Sequence, residues 1–327
     1  MRLKEIGEFG LIDRIARRVP RKAGVPIGIG DDAAAINPTP GCVTLVTTDM
    51  LVEGVHFDLA LCDPITLGRK SAAVNLSDIA AMGGRPRHCL LSLAIPQDLP
   101  VEFLDGFLTG LLERAQEFDV ALVGGDTCSS RGGLVISITL MGEQLPDLVV
   151  SRRGAQPGDL IFVTGTLGDS ALGLNLLRKG ERSGAAVLKH LDPPPRVREG
   201  LALAEAGIPS AMIDVSDGLL GDLGHILELS RVGALINLDK LPVSTAFTAT
   251  KSALGEDPFL FPLAGGEDYE LLFTAPPARK SAAFALFDSL GTALSVIGEI
   301  TAEGVKIVGV DGGDYKAAAQ SYNHFSP

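Results

Sequence analysis

The sequence predicts an α/β protein, in the broad sense that includes α+β, built as two domains. Its 327 residues exceed what one core of ordinary size organises and suit two. Short Val/Ile/Leu-rich runs alternate with stretches of helical apolar period, the pattern of strands interleaved with helices. That pattern breaks once, in a turn-rich stretch from Pro146 to Gly158 that holds Arg152-Arg153-Gly154 and Pro157-Gly158-Asp159. The break divides the chain into residues 1–148 and 149–327. A hydrophobic content of 46% with 21% charged residues excludes global disorder.

The elements follow in order. Glu8–Val19 places Phe9, Ile12, Ile15, Ala16 and Val19 at helical spacing, and Pro20 stops it. A Gly-rich strand and turn are expected over 27–36, then a strand Val43–Thr48 ending at Asp49. Pro64–Met82 reads as an Ala-rich helix closed by Gly83-Gly84. Strand His88–Ile95, helix Pro100–Phe118 and strands Val120–Val123 and Leu134–Met141 complete the first half. The second half opens with strand Leu160–Thr164, loop Gly165–Gly168 and helix Asp169–Arg178. Helices are further expected at 196–206, 219–230 and 277–290, and strands at 212–215, 234–238, 269–274 and 295–300. No run approaches the roughly 18 apolar residues of a membrane span.

Lys and Arg number 28 against 40 Asp and Glu, a net charge of −12 that argues against a nucleic-acid surface. The first 25 residues depart from this, with seven basic and three acidic side chains. Cys42, Cys62, Cys89 and Cys128 lie far apart without zinc-like spacing and read as buried, reduced thiols. No secretory h-region follows Met1, so the cytoplasm is the expected location.

The acids recur in one setting, an apolar run followed by Asp beside Gly, Ser or Thr: Gly30-Asp31-Asp32, Thr47-Thr48-Asp49, Gly124-Gly125-Asp126-Thr127 and Asp214-Val215-Ser216-Asp217-Gly218. Any one is compatible with turn or N-cap chemistry; four at expected strand ends, where α/β folds bind ligands, point to a site. Asp78 adds an acid inside an apolar helix, where a buried, unpaired carboxylate would be costly or stay protonated and a surface-facing Asp is the alternative. Two carboxylates 4 Å apart repel by roughly 4 kcal/mol at an effective dielectric of ~20, so convergence requires cations or protons. Oxygen donors without a Cys/His set favour magnesium or manganese, and hence phosphate chemistry. Gly28-Ile29-Gly30-Asp31-Asp32 is a poor dinucleotide fingerprint, since two acids sit where a pyrophosphate would lie, and no P-loop occurs. Gly165–Gly168 could cradle an anion on its N–H groups or be a plain connecting loop.

In this order and spacing the motifs resemble the thiamine-monophosphate kinases of the aminoimidazole-ribonucleotide-synthetase-like superfamily. The match runs from Gly7-Glu-Phe-Gly-Leu-Ile12 through Gly54-Val-His56-Phe57, Asn75-Leu-Ser-Asp78 and Gly165-Thr-Leu-Gly-Asp-Ser170 to Gly265-Gly-Glu-Asp-Tyr-Glu270. The resemblance implies an N-terminal domain that dimerises through its sheet, plus a C-terminal α/β domain whose tail returns to the active site. It implies ATP-dependent conversion of thiamine phosphate to thiamine diphosphate with several magnesium ions. Metal ligands would be Asp32, Thr47, Thr48, Asp49, Asp78, Asp126, Asp214 and Asp217. ATP contacts would be Gly125, Asp126, Arg152 and Ser216, and thiamine phosphate contacts His56, Glu267 and Phe325. No general base is implied, and the expected assembly is a homodimer. The alternatives are a purine-pathway synthetase, which would turn over ATP with a formylglycinamidine substrate, and a non-catalytic nucleotide- or metal-binding module, which would bind ATP without releasing ADP.

Overall fold

The computed structural model describes residues 3–251, 254 and 257–317. The chain divides into two compact units, Met1–Ile79 with Gly84–Asp147, and Ala80–Gly83 with Leu148–Pro327.

The first unit contains helix α1 (Leu3–Ala16), strand β1 (Val43–Val52), helix α2 (Pro64–Ala81), strand β2 (Arg85–Pro96), helix α3 (Val101–Glu117) and strands β3 (Ala121–Ser130) and β4 (Val135–Gln144). Its sheet has the order β1-β4-β2-β3, with only β2–β3 parallel. Alternate residues follow the period of two: Leu45 and Leu51 on β1, Leu91 and Leu93 on β2, and Ile136, Ile138 and Leu140 on β4 are buried. Ala72 and Leu76 of α2 and Leu111 and Ala115 of α3 enclose a small cavity with Cys89, Ile138 and Leu140. The two helices cross closely because glycines meet backbone there: a Cβ on Gly68 would lie 2.0 Å from the Phe107 carbonyl oxygen, and one on Gly110 1.9 Å from that of Ile65. The other face of β1 is uncovered, with Val46 63% and Met50 58% exposed.

Four of the N-terminal basic groups are paired within this unit, Arg14 and Arg18 with Asp105, Arg17 with Asp13 and Lys22 with Asp119. Helix α1 begins earlier than its apolar period suggests and is interrupted at Gly7, whose φ of 68° and ψ of 179° are non-helical. The expected strand at 27–36 is only a pair of isolated bridges, Ile27 to Ala35 and Ile29 to Asp31, because Gly30 turns with φ 115°. Of the cysteines only Cys89 is buried; Cys42 and Cys62 are half-buried and Cys128 is exposed.

The second unit contains β5 (Leu160–Thr164), α4 (Asp169–Arg178), α5 (Ala185–Leu191), α6 (Val197–Glu205), β6 (Ala211–Asp214), α7 (Leu219–Ser230), β7 (Gly233–Asn237), α8 (Thr245–Thr250), α9 (Leu260–Ala264), β8 (Leu271–Ala275), α10 (Lys280–Leu290), β9 (Leu294–Thr301) and β10 (Val305–Val308). Its six strands run in the order β10-β7-β9-β5-β8-β6, antiparallel except for β10–β7. One face packs Ile161, Val163, Leu272 and Ile213 in a cluster with Leu219, Leu223, Ile226 and Leu227 of α7. Each fully buried Leu or Ile there is worth roughly 1.5–3 kcal/mol. Phe162 and Phe273, opposite each other on β5 and β8, stack with centroids 4.9 Å apart, and Phe273 meets Phe287 of α10. No described helix is long and apolar enough to cross a membrane.

Candidate active site

In the first unit, β1 runs through Asp49 to Val52 instead of ending there, because its ladder with β4 continues from Val43–Gln144 to Val52–Val135. Asp49 is therefore a mid-strand residue, and alternation separates the candidate ligands. Thr47 and Asp49 lie opposite Leu140 and Ile138, on the face covered by helices. Thr47 donates its hydroxyl to the Asp78 carboxylate on α2, so Asp78 is a compensated acid turned to the sheet, half-buried. Thr48 lies on the other face, where Thr139 donates to its hydroxyl at 3.2 Å and it donates to the Ile138 carbonyl.

β3 also runs further than the sequence suggests, through Gly124-Gly125-Asp126 to Ser130. Gly125 permits this: at φ 154° a Cβ would stand 1.7 Å from the Leu91 carbonyl oxygen. Asp126 is exposed and lies opposite Ser92, which lies opposite Ser137, which lies opposite Met50, so these four share the uncovered face. Asp32 is exposed in the Gly30 turn, its N–H bonded to the Asp31 carboxylate at 2.9 Å, which gives Asp31 an ordinary turn role. His56 follows β1 in a tight turn; its Nδ1 accepts the Val52 N–H at 3.0 Å. The ring proton then sits on Nε2, making that nitrogen a hydrogen-bond donor.

In the second unit, Asp214 ends β6 and is 2% exposed, as an acid at a true strand end. The following loop is held by Asp222 in the first turn of α7, whose Oδ2 accepts the N–H groups of Ser216 and Asp217, each at 3.0 Å. Burial, then the Asp214 carboxylate, push Asp222 up to about 8, against the pull of those N–H groups. The segment 264–270 zips onto the same loop: Glu267 N–H donates to Ser216 at 2.7 Å, Tyr269 N–H to Val215, and Val215 N–H to Glu270. Glu267 and Tyr269 hold left-handed φ values of 66° and 50°, uncommon for such residues and frequent where a site fixes a side chain. His190 Nδ1 lies 3.4 Å from the Glu267 carboxylate and 2.9 Å from the Ser170 hydroxyl. Arg152 is exposed in a turn bonded to β6 through Met212 N–H and Ser151 C=O.

The Gly165–Gly168 loop cradles an anion from its own chain. Asp268, fully buried, accepts from Gly168 N–H at 2.6 Å and Ser170 N–H at 3.1 Å. Burial pushes Asp268 up to about 7 despite those bonds. Beneath it Glu270, also 0% exposed, pairs with Lys189 and, twice, with Arg196. The structure thus joins Thr47 to Asp78 and Ser216 to Glu267, and ties Ser216 and Asp217 of the same loop to Asp222. Among the described residues no three His, Cys, Asp or Glu side chains close on one point as a metal site. Phe325 and the rest of the tail lie outside the described residues. Asp222 escaped the sequence reading although it carries the signal that marks Asp78, an acid within an apolar helical run.

Comparison with known proteins agrees with this architecture. Residues 30–144 match the model of the N-terminal domain of AIR synthase related proteins, and residues 156–311 that of their C-terminal domain. The thiamine-monophosphate kinase of Escherichia coli K12 is 39% identical over 329 residues, 98% of each chain. The chain belongs to the thiamine-monophosphate kinase family of enzymes. Among solved structures, the thiamine-monophosphate kinase of Stenotrophomonas maltophilia superposes with a TM-score of 0.82 at 40% identity, covering 94% of this chain and 97% of its own. A thiamine-monophosphate kinase structure described as AaThiL complexed with AMPPCP and TMP gives 0.77 at 36% identity, covering 99% of each chain.

Proposed function

We propose that this chain transfers the γ-phosphoryl group of ATP directly to the phosphate of thiamine phosphate, giving ADP and thiamine diphosphate. The observation that carries the reading is near-full-length membership of the kinase family with the acid motifs intact and in order. The acceptor is a phosphate monoester, whose second pKa near ~6 leaves it mostly dianionic at neutral pH. It needs no general base, and the described groups offer donors and acceptors in its place. His56 Nε2–H and the Arg152 guanidinium present donating groups to phosphate oxygens, with Gly125 beside Asp126 as a further ATP contact. Glu267, held by its strained backbone and His190, would serve the thiamine side, and Phe325 would supply the ring that stacks on the heterocycle.

The donor set fits magnesium: Asp and Thr oxygens throughout, and in the second unit carboxylates close enough for Asp214 to raise Asp222. Asp32, Thr47, Thr48, Asp49, Asp78, Asp126, Asp214 and Asp217 would hold the ions. Bound magnesium would neutralise the charge of the transferred phosphoryl group.

Asp49 on β1 and Asp126 on β3 belong to opposite edges of the sheet, three strand spacings or roughly 14 Å apart, and to opposite faces. A homodimer through the uncovered face, the assembly that the family resemblance implies, would place Thr48 and Asp126 at its seam and leave Asp49 on the helix side. A monomeric mass in solution by light scattering would overturn that assembly.

Coupled ADP release with ATP, magnesium and thiamine phosphate tests the activity. Absence of thiamine diphosphate, or preference for a formylglycinamidine acceptor, would overturn it. A phosphorylated protein trapped with labelled ATP would exclude direct transfer. Deleting 321–327 should raise the KM for thiamine phosphate without unfolding the chain.

A further inference from the structure

We infer that Asp222 is a positioning residue that sets the Asp214–Gly218 loop and, through it, Glu267. The inference rests on the proposed kinase reading for what the loop does, and on geometry alone for how it is held. One oxygen of Asp222 takes both N–H groups of Ser216 and Asp217. The Ser216 carbonyl takes the N–H of Glu267. Both backbone groups of Ser216 are thus engaged, one by α7 and one by the segment that carries the thiamine-side carboxylate.

The loop's neighbouring holds are also backbone: Val215 N–H donates to Glu270 and Tyr269 N–H to Val215. Gly218, at φ 106°, starts α7 without a side-chain cap. A Cβ at Gly218 would stand 2.8 Å from Ala264, and one at Gly266 2.4 Å from the Ser216 carbonyl. Backbone therefore packs directly on backbone, and a small rotation of the Ser216–Asp217 peptides would displace Glu267 as well. An acceptor at Asp222 fixes those peptides from the side opposite the 264–270 segment. Its position inside the first turn of α7, 2% exposed, ties the loop to the helix that packs on the sheet. Asp222 acts through Ser216, Asp217 and Glu267 and touches no substrate.

The prediction separates an acceptor from a charge. Asp222→Asn can place its carbonyl oxygen where Oδ2 stands and keep both N–H bonds, with its amide group turned to Asp214. Asp222→Ala removes the acceptor. In Asp222→Ala, the Ser216 and Asp217 amides should exchange with deuterium at least tenfold faster. KM should rise for both ATP and thiamine phosphate, and kcat should fall by at least tenfold. Asp222→Asn should restore the protection of both amides and bring KM for both substrates to within about threefold of the parent chain.

Two results would overturn the inference. One is an Asp222→Ala chain with unchanged exchange and kinetics. The other is an Asp222→Asn chain with protected amides but activity as low as the alanine variant, which would make the residue a direct cation ligand. If Asp222→Ala does not fold, Asp222→Asn decides alone, since loss of amide protection or of turnover in that variant is equally contrary. Amide exchange needs no substrate, so the positioning role is read even if thiamine phosphate proves not to be the acceptor.

Discussion

Replacing Glu270 by Gln should destabilise the second unit by about 3–5 kcal/mol, the range for removing one partner of a buried charge pair. The Glu270 carboxylate is fully buried and serves Lys189 Nζ, Arg196 Nε at 2.6 Å, Arg196 Nη2 at 2.8 Å and the Thr164 hydroxyl at 2.6 Å. Gln retains one acceptor and turns an NH2 group toward a cation, leaving Lys189 or Arg196 uncompensated where their side chains are only 13% and 16% exposed. Glu199 still faces Arg196 at 3.2 Å, which keeps the loss from being larger. Burial alone would raise Glu270, but Lys189 and Arg196 hold it below its ordinary 4.5. The stability it contributes is therefore present above about pH 4.5 and lost as pH falls through the lowered value. Urea unfolding at pH 7, with amide exchange in β5 and β8 to isolate the second unit, measures the effect. A difference below about 1 kcal/mol at pH 7, or one that grows in acid, would refute the reasoning.

Asp268 should show the opposite pH dependence. Its value rises from 3.8 to about 7, so its contribution is full below pH ~4 and lost as pH rises through ~7, on the order of 4 kcal/mol. The stability difference between the parent chain and Asp268→Asn should accordingly shrink between pH 5 and 8 in urea titrations. Gly125→Ala should disrupt the β2–β3 ladder, since its Cβ would meet the Leu91 carbonyl oxygen at 1.7 Å; insoluble expression or early thermal unfolding of the first unit reports this, and a Tm near the parent value contradicts it. Asp126→Asn, exposed, should lower kcat at least a hundredfold while moving Tm by no more than a few degrees, measured by ADP release and thermal melts.

Strong apolar periods made α2, α3 and α7 legible, and unbroken apolar runs did the same for β4 and β5. Helices α5, α8 and α9 were missed because five to seven residues carry too little periodicity, and β10, four residues long, for the same reason. Gly124-Gly125 looked like a turn, yet the glycine serves a close approach within a strand. That misreading, with the early end given to β1, hid a consequence of strand geometry: Thr47, Thr48 and Asp49 cannot all face one way. Most acids of the candidate site were legible from their neighbours in sequence. Asp222, His190, Lys189 and Arg196 were not, because their meaning lies in partners that the fold, not the chain order, supplies. Glu270 stands 74 residues beyond Arg196 and 81 beyond Lys189.

The order of strands in the second unit also bears on how the chain acquires its structure. β5 is the first strand of that unit to be synthesised, and its two neighbours, β8 and β9, are among the last. Phe162 waits for Phe273 on one side and Val296 on the other. Loop closure over such separations makes sheet formation slow compared with local helix formation. The first unit, whose strands all lie before residue 145, can fold while the second is still being made. A nascent chain halted before β9 would expose both edges or one full side of its central strand, so the same topology that buries β5 most deeply leaves it longest at risk of aggregation.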